Sequence, residues 1–188
     1  MISAFIALGS NLGESAGILR RAMTRLESLG VGPVRKSSLW RSTPVDCPPG
    51  SPPFVNAVAG LIPLPGETPE SLLRKLQALE KAFGRMPKQV LNEPRPLDLD
   101  LIAFGAEVRH SAELTLPHPR AHLRRFVLQP LSEIAPGLIL PGQMKTVAQL
   151  LVELPAMESV VRINIERKEI RRPKSEGRKK SEIRNPKY

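Results

Sequence analysis

Leu97-Asp98-Leu99-Asp100-Leu101-Ile102 alternates apolar and acidic side chains, the period-two signature of a strand with one buried face. The leucines share one face and the two aspartates share the other, about 7 Å apart along the chain. Working back from this strand, residues 85–96 read as an irregular segment. Before it, Thr68-Pro69-Glu70-Ser71 offers a helix cap with proline at the first helical position. Leu72, Leu73, Leu76, Leu79, Glu80 and Phe83 follow at helical spacing as far as Gly84. Residues 54–62 read as a strand, 34–41 as another, and the prolines at 44, 48, 49, 52 and 53 mark a long loop between them, of a kind that often carries function. At the start, residues 2–8 form an apolar run ending at Gly9, and 14–29 place Ile18, Leu19, Ala22, Met23, Leu26 and Leu29 on one helical stripe. The resulting order, β-α-β-β-α-β, predicts an α+β fold with a ferredoxin-like core. Helical patterns at 124–133 and 146–154 extend it at the C-terminal side.

The chain has 188 residues, 41% hydrophobic and 24% charged, values that suit one globular domain and exclude a fibrous or wholly disordered chain. Its only cysteine, Cys47, rules out an intrachain disulfide and any site built from several thiolates. No apolar run is long enough to cross a bilayer, and the first residues lack a basic leader, so the expectation is a soluble, cytoplasmic chain. Residues 160–188 hold 11 Lys and Arg against 4 Glu, which is +7 of the total +10. We therefore divide the chain into a domain at 1–159 and a basic tail at 160–188, disordered from about residue 166. Such a tail can attract polyanions weakly, and net charge alone names no partner.

Two carboxylates on one strand face repel each other, and a hard cation such as Mg²⁺, shared with substrate phosphates, would offset them. A solvent-facing polar stripe fits the same spacing. Arg85, Lys88 and Arg95 in the preceding segment could neutralise phosphate charge, although each alone also reads as a solvated loop residue. No P-loop sequence is present, and Gly9-Ser10-Asn11-Leu12-Gly13 reads as a tight turn more readily than as a phosphate loop. His118, in Pro117-His118-Pro119-Arg120, could donate to phosphate or be an ordinary loop histidine.

Five motifs occur in order: Gly9-Ser10-Asn11-Leu12; Thr43-Pro44-Val45 with Phe54-Val55-Asn56-Ala57-Val58; Pro94-Arg95 with Leu97-Asp98-Leu99-Asp100; Leu116-Pro117-His118-Pro119-Arg120; and Arg124-Arg125-Phe126-Val127-Leu128. Together they resemble the 6-hydroxymethyl-7,8-dihydropterin pyrophosphokinases of folate biosynthesis, over about residues 2–155. The resemblance implies transfer of diphosphate from ATP to the hydroxymethyl group of the reduced pterin, leaving AMP. It implies that Asp98 and Asp100 hold two Mg²⁺ ions and that Arg85 and Arg95 stabilise the moving diphosphate. Gln77, Glu80, Lys88, Leu101, Thr115, His118 and Arg124 would then line the ATP site. The pterin would lie between Phe54 and Phe126, read by Asn56 and by the backbone of Ser42, Thr43 and Val45. A flat ring with amide-like edges needs stacking faces and a side-chain amide of that kind, while either phenylalanine alone could equally be core. Asn92-Glu93 and Glu113 depart from the family pattern, which bears on loop closure and adenine contacts.

Two other classes share the element order or the motifs. An RNA-binding domain would need an aromatic platform on its strands, yet aromatics are only 4% of the chain and the acidic pair would repel a phosphate backbone. A catalytically silent scaffold would have no need of Asp98, Asp100, Arg95 and Asn56 together. The expected partners are ATP and the pterin, with no membrane, no specific nucleic acid and a monomeric state.

Overall fold

The computed structural model describes residues 3–86, 93–155 and 159–164. Its centre is an antiparallel sheet of strands β1 (Ala4–Ser10), β2 (Gly30–Lys36), β3 (Trp40–Ser42), β4 (Phe54–Pro63), β5 (Asp98–Phe104) and, later in the chain, β8 (Val160–Arg162). The sheet runs β5-β1-β4-β3-β8, and β2 pairs with the far end of β4. Helices α1 (Ser15–Leu26) and α2 (Pro69–Ala82) supply the two crossovers, which gives the expected ferredoxin-like order. A small ribbon of β6 (Arg109–His110) and β7 (Thr115–Leu116) follows, then α3 (Arg125–Ile134) and α4 (Val147–Glu153).

Each helix starts or packs for a local reason. At α2, the Thr68 hydroxyl accepts the Ser71 N–H and the Ser71 hydroxyl accepts the Thr68 N–H, a reciprocal cap. Thr146 and Gln149 repeat this arrangement at α4. The apolar stripes of α1 and α2 pack on one face of the sheet with Leu8, Leu97, Leu99 and Leu101, all buried. The aspartates of the alternating strand therefore face the opposite side, as the period predicts.

The strand expected at 34–41 is instead the end of β2 and the start of β3, with a break at 37–39. Lys36 pairs with Ala59 and Trp40 with Asn56, so four steps on the edge oppose three on β4, and the extra residue forces a bulge. Ser37 fills the break: its hydroxyl accepts the Val58 N–H at 2.9 Å and its own N–H donates to the Val58 carbonyl at 3.0 Å. Val160–Arg162, assigned from sequence to the tail, is an edge strand on β3. Residues from 165 onward, including the rest of that tail, lie outside the described residues. Among the described residues, no helix is long and apolar enough to cross a membrane.

On its second face the sheet is only half covered. Val127, Leu128 and Leu131 of α3 and Val147 of α4 close over Phe5, Val58, Ile102 and Ala103. Toward the other end of the same strands the helices stop, and the sheet lies open at Gly9, Asn56, Asp98 and Asp100.

Candidate active site

The open half of the sheet has a simple floor. Asp98 of β5 pairs with Gly9 of β1, and Gly9 pairs with Asn56 of β4, so a carboxylate and an amide lie two strand spacings apart, about 10 Å, with no side chain between them. A methyl group on Gly9 would stand 3.7 Å from Asn56 Oδ1, 3.8 Å from Asp98 Cβ and 3.9 Å from Phe54 Cδ1. The glycine thus keeps a slot open.

Around that floor lies a first cavity, lined by Ser42, Thr43, Val45, Phe54, Asn56 and Phe126 along with Cys47, Arg95, Asp98, Asp100 and Arg124. All six residues expected at the pterin are brought here. Asn56 is buried, and its Nδ2 donates to Ser42 Oγ at 2.9 Å, which leaves one N–H and the amide oxygen for a ligand. The Arg95 guanidinium lies 5.5 Å from the centre of the Phe54 ring, and that of Arg124 lies 5.4 Å from the centre of the Phe126 ring. Both rings are half-buried, and Phe126 also packs against the core under α3.

A second, more polar cavity is lined by Arg85, Met86, Glu93, Arg95, Asp98, Asp100, His118, Arg120 and Arg124. Arg95, Asp98, Asp100 and Arg124 line both cavities and form the seam between them.

Electrostatics concentrate at this seam. Asp98 pairs with Arg85 Nη1 at 2.5 Å and with Arg95 Nη2 at 2.7 Å. Burial pushes the Asp100 carboxyl up to about 6, the Asp98 charge adds to the rise, and Arg124, Arg95 and Arg85 oppose it. Glu80, at 7% exposure, bonds Arg85 and accepts the Leu99 N–H at 2.7 Å, yet burial carries it to about 7. Burial works against the Arg85 charge as well, but Asp98 and Glu80 outweigh it and raise its pKa. His118 falls to about 4 through burial and the nearby Arg124 and Arg120 cations. It is thus neutral near pH 7. Its Nδ1 accepts the Arg120 N–H at 3.2 Å, which assigns the proton to Nε2 and makes that atom the donor.

Four other residues expected at the ATP site do not line either cavity. Leu101 points into the core with Leu97 and Leu99, because strand alternation groups odd positions there. Gln77 is exposed on α2 and Thr115 is half-buried on β7, and neither lines either cavity. Glu80 sits behind Arg85 rather than on a cavity wall. Lys88 and Asn92 lie outside the described residues. Glu113 pairs with Arg74 at 3.7 Å on the surface.

The Gly9–Gly13 turn supplied a residue that sequence reading passed over. Asn11 is buried; its N–H donates to the Arg95 carbonyl at 3.2 Å, its Oδ1 accepts the Arg95 N–H at 2.9 Å, and its Nδ2 donates to the Pro52 carbonyl at 3.4 Å. One side chain joins the proline-rich loop to the arginine-bearing loop. An asparagine beside glycine looks like turn chemistry in a sequence, and only the fold brings residues 52 and 95 to it. Arg120 also lines the second cavity, and no local pattern gives it a role there.

Among the described residues, no three side chains of the types His, Cys, Asp or Glu cluster as a cation cage. The donor set is two carboxylates on one strand face, and each lies beside cations suited to phosphate. This set fits a hard divalent ion that completes its shell with substrate oxygens and water, the way Mg²⁺ is usually held.

Comparison with known proteins agrees with this geometry. The family model for 7,8-dihydro-6-hydroxymethylpterin-pyrophosphokinase matches residues 5–136. The 2-amino-4-hydroxy-6-hydroxymethyldihydropteridine pyrophosphokinase of Haemophilus influenzae is 39% identical over 158 residues, covering 82% of this chain and 91% of that one. The Synechocystis protein of the same name is 37% identical, covering 80% and 75%. In shape, a crystal structure of HPPK-DHPS with substrates superposes with a TM-score of 0.61 at 10% identity, and a Plasmodium falciparum HPPK-DHPS with pteroate at 0.62 and 11%. This chain covers less than half of either of those longer chains, 43% and 44%. The match over residues 5–136 takes in the slot at Gly9, both phenylalanines and the seam of arginines and aspartates, and on it the chain belongs to the 7,8-dihydro-6-hydroxymethylpterin-pyrophosphokinase family.

Proposed function

We propose that this chain transfers the β,γ-diphosphate of ATP to the hydroxymethyl oxygen of 6-hydroxymethyl-7,8-dihydropterin, a step of tetrahydrofolate biosynthesis. The hydroxymethyl oxygen gives up its proton to solvent and forms a bond to the β-phosphorus, the bond from that phosphorus to the α,β-bridging oxygen breaks, and AMP departs. The observation that carries the assignment is the seam: an apolar slot with an amide reader and a polar, arginine-lined cavity meet at Arg95, Asp98, Asp100 and Arg124.

In this reading the pterin ring occupies the slot above Gly9, stacked by Phe54 and Phe126, and Asn56 pairs with its edge. Ser42 holds the amide in one orientation, and the backbone near Thr43 and Val45 completes the wall. The triphosphate occupies the second cavity. Arg85, Arg95 and Arg124 take its charge, and His118 donates from neutral Nε2. Glu80 is a positioning residue: it orients Arg85 and ties it to β5 through Leu99. Asp98 and Asp100 would hold Mg²⁺, as two ions, supplying charge neutralisation for the triphosphate and an aligned leaving group. Asp98 pairs with one nitrogen of each of Arg85 and Arg95, which leaves further N–H groups on both guanidiniums for phosphate oxygens.

The test is AMP formation from Mg·ATP with and without the reduced pterin. Stoichiometric AMP and pterin diphosphate that depend on both substrates support the assignment; pterin-independent ATP cleavage overturns it. The RNA-binding alternative loses ground on one observation. The sheet face it would need is half covered by α3 and α4.

A further inference from the structure

The C-terminal segment returns to the sheet beyond the residues that the family model matches. Ser159 accepts the Thr43 N–H at 3.3 Å, Val160–Arg162 pairs antiparallel with Trp40–Ser42, and the Ile163 N–H donates to the Leu39 carbonyl at 2.8 Å. Glu133 of α3 brackets the junction from the side. Its Oε2 accepts the Ser38 N–H at 2.6 Å, and its Oε1 lies 3.8 Å from Arg162 Nε.

What this segment grips matters more than its length. Strand β3 has only three residues and runs straight into the proline-rich loop. It carries Ser42, whose hydroxyl sets the orientation of the Asn56 amide, and it is followed at once by Thr43 on the cavity wall. Paired with β4 alone, so short an edge strand would fray, because local opening is cheapest where few backbone bonds hold an element. A second ladder on its outer side removes that freedom before the ligand arrives, and a wall ordered in advance costs less to bind against.

We propose that Val160–Arg162 is a positioning strand for the pterin pocket, holding Ser42 and Thr43 in the ligand-competent geometry. This rests on the functional reading above. The ladder bonds at 43 with 159 and 39 with 163 alternate by two, so Val161 is the next hydrogen-bonded position, opposite Arg41. Its side chain is 60% exposed, and substitutions there leave the core untouched.

The experiment compares wild type, Val161→Pro and Val161→Thr in steady-state AMP formation with each substrate varied in turn, along with hydrogen exchange at the Thr43 amide. Proline removes the central N–H of the ladder; threonine keeps it. Val161→Pro is expected to raise the pterin KM about fivefold, the effect of one net hydrogen bond. It should leave the ATP KM within about twofold and speed exchange at Thr43. Val161→Thr is expected to match wild type in all three. A pterin KM unchanged while Thr43 protection is lost overturns the proposal, as does an equal rise in both KM values. If the proline variant does not fold, Val161→Gly takes its place with a smaller rise expected in the pterin KM alone, and a value equal to wild type overturns the strand's role. Absence of pterin-dependent AMP in the wild type would instead sink the functional reading, while exchange at Thr43 would still report whether the clamp exists.

Discussion

Gly9 decides how much room the sheet leaves between Asn56 and Asp98. A methyl there meets its neighbours at ordinary contact distances, so Gly9→Ala is expected to fold normally and still raise the pterin KM by an order of magnitude, about 1.4 kcal/mol; unchanged pterin kinetics would remove the slot. Asn56→Ala is expected to weaken pterin binding by about 1–3 kcal/mol, the cost of leaving a buried partner unmatched, with ATP affinity preserved in a calorimetric titration of each ligand. Asp98→Ala and Asp100→Ala are each expected to abolish most turnover while the protein stays folded, since both project from the face opposite the leucine core. Near-normal Mg²⁺-dependent turnover in either variant would remove that residue from the proposed site. Glu80 gives a stability prediction whose sign follows from its environment. Its folded pKa of about 7 lies above the ordinary 4.5, so the folded state holds the proton more tightly. The group costs nothing below pH 4.5, and stability falls as pH rises from there through about 7. At about 1.36 kcal/mol per unit, this amounts to about 3 kcal/mol. Glu80→Gln retains an acceptor for the Leu99 N–H and is expected to flatten that decline in urea unfolding between pH 5 and pH 8; profiles parallel to wild type would contradict it.

Elements meet at the site through their ends. The end of β3, the beginnings of β4, β5 and α3, and two loops contribute the side chains, and the loop positions have no strand ladder to hold them. Asn11 compensates by tying residue 52 to residue 95. Asn11→Ala is therefore expected to speed amide exchange at Arg95 and to lower kcat/KM about tenfold, the effect of losing about 1–1.5 kcal/mol of positioning bonds. Equal exchange at Arg95 in the two proteins would show that the loop is held by something else. The bulge at Ser37 has a related consequence. By adding one residue to the edge, it lets β2 and β3 share β4 while keeping Trp40 and Ser42 in register with Asn56 and Phe54.

For the molecule as a whole, every side chain placed at the two cavities precedes residue 130, and the last described residue is Asn164. Deletion from Arg167 onward is expected to leave steady-state kinetics unchanged and to remove any salt-sensitive attraction to polyanions, which arises from counterion release by Lys and Arg. Kinetics and heparin binding at two salt concentrations check both; a large loss of turnover would place part of the tail in the enzyme. The alternating leucines and aspartates, the helical stripes and the Thr68 cap were legible in the sequence because periodicity and capping are local, set by backbone geometry within a few residues. The ordered motifs likewise marked Asn56, Phe54, Phe126, Arg95, Asp98 and Asp100. What no local pattern carries is which distant residues share a wall. The Asn11 bridge, the neutral His118 and the return of Val160–Arg162 to β3 depend on strand order and burial, and these arise only when the sheet assembles. By itself the sequence determined the principal helices and central strands, the face on which the acidic pair lies and the family; the tertiary structure alone decided the short edge strands, the seam between two cavities and what holds it, because burial and long-range pairing are properties of the packed chain.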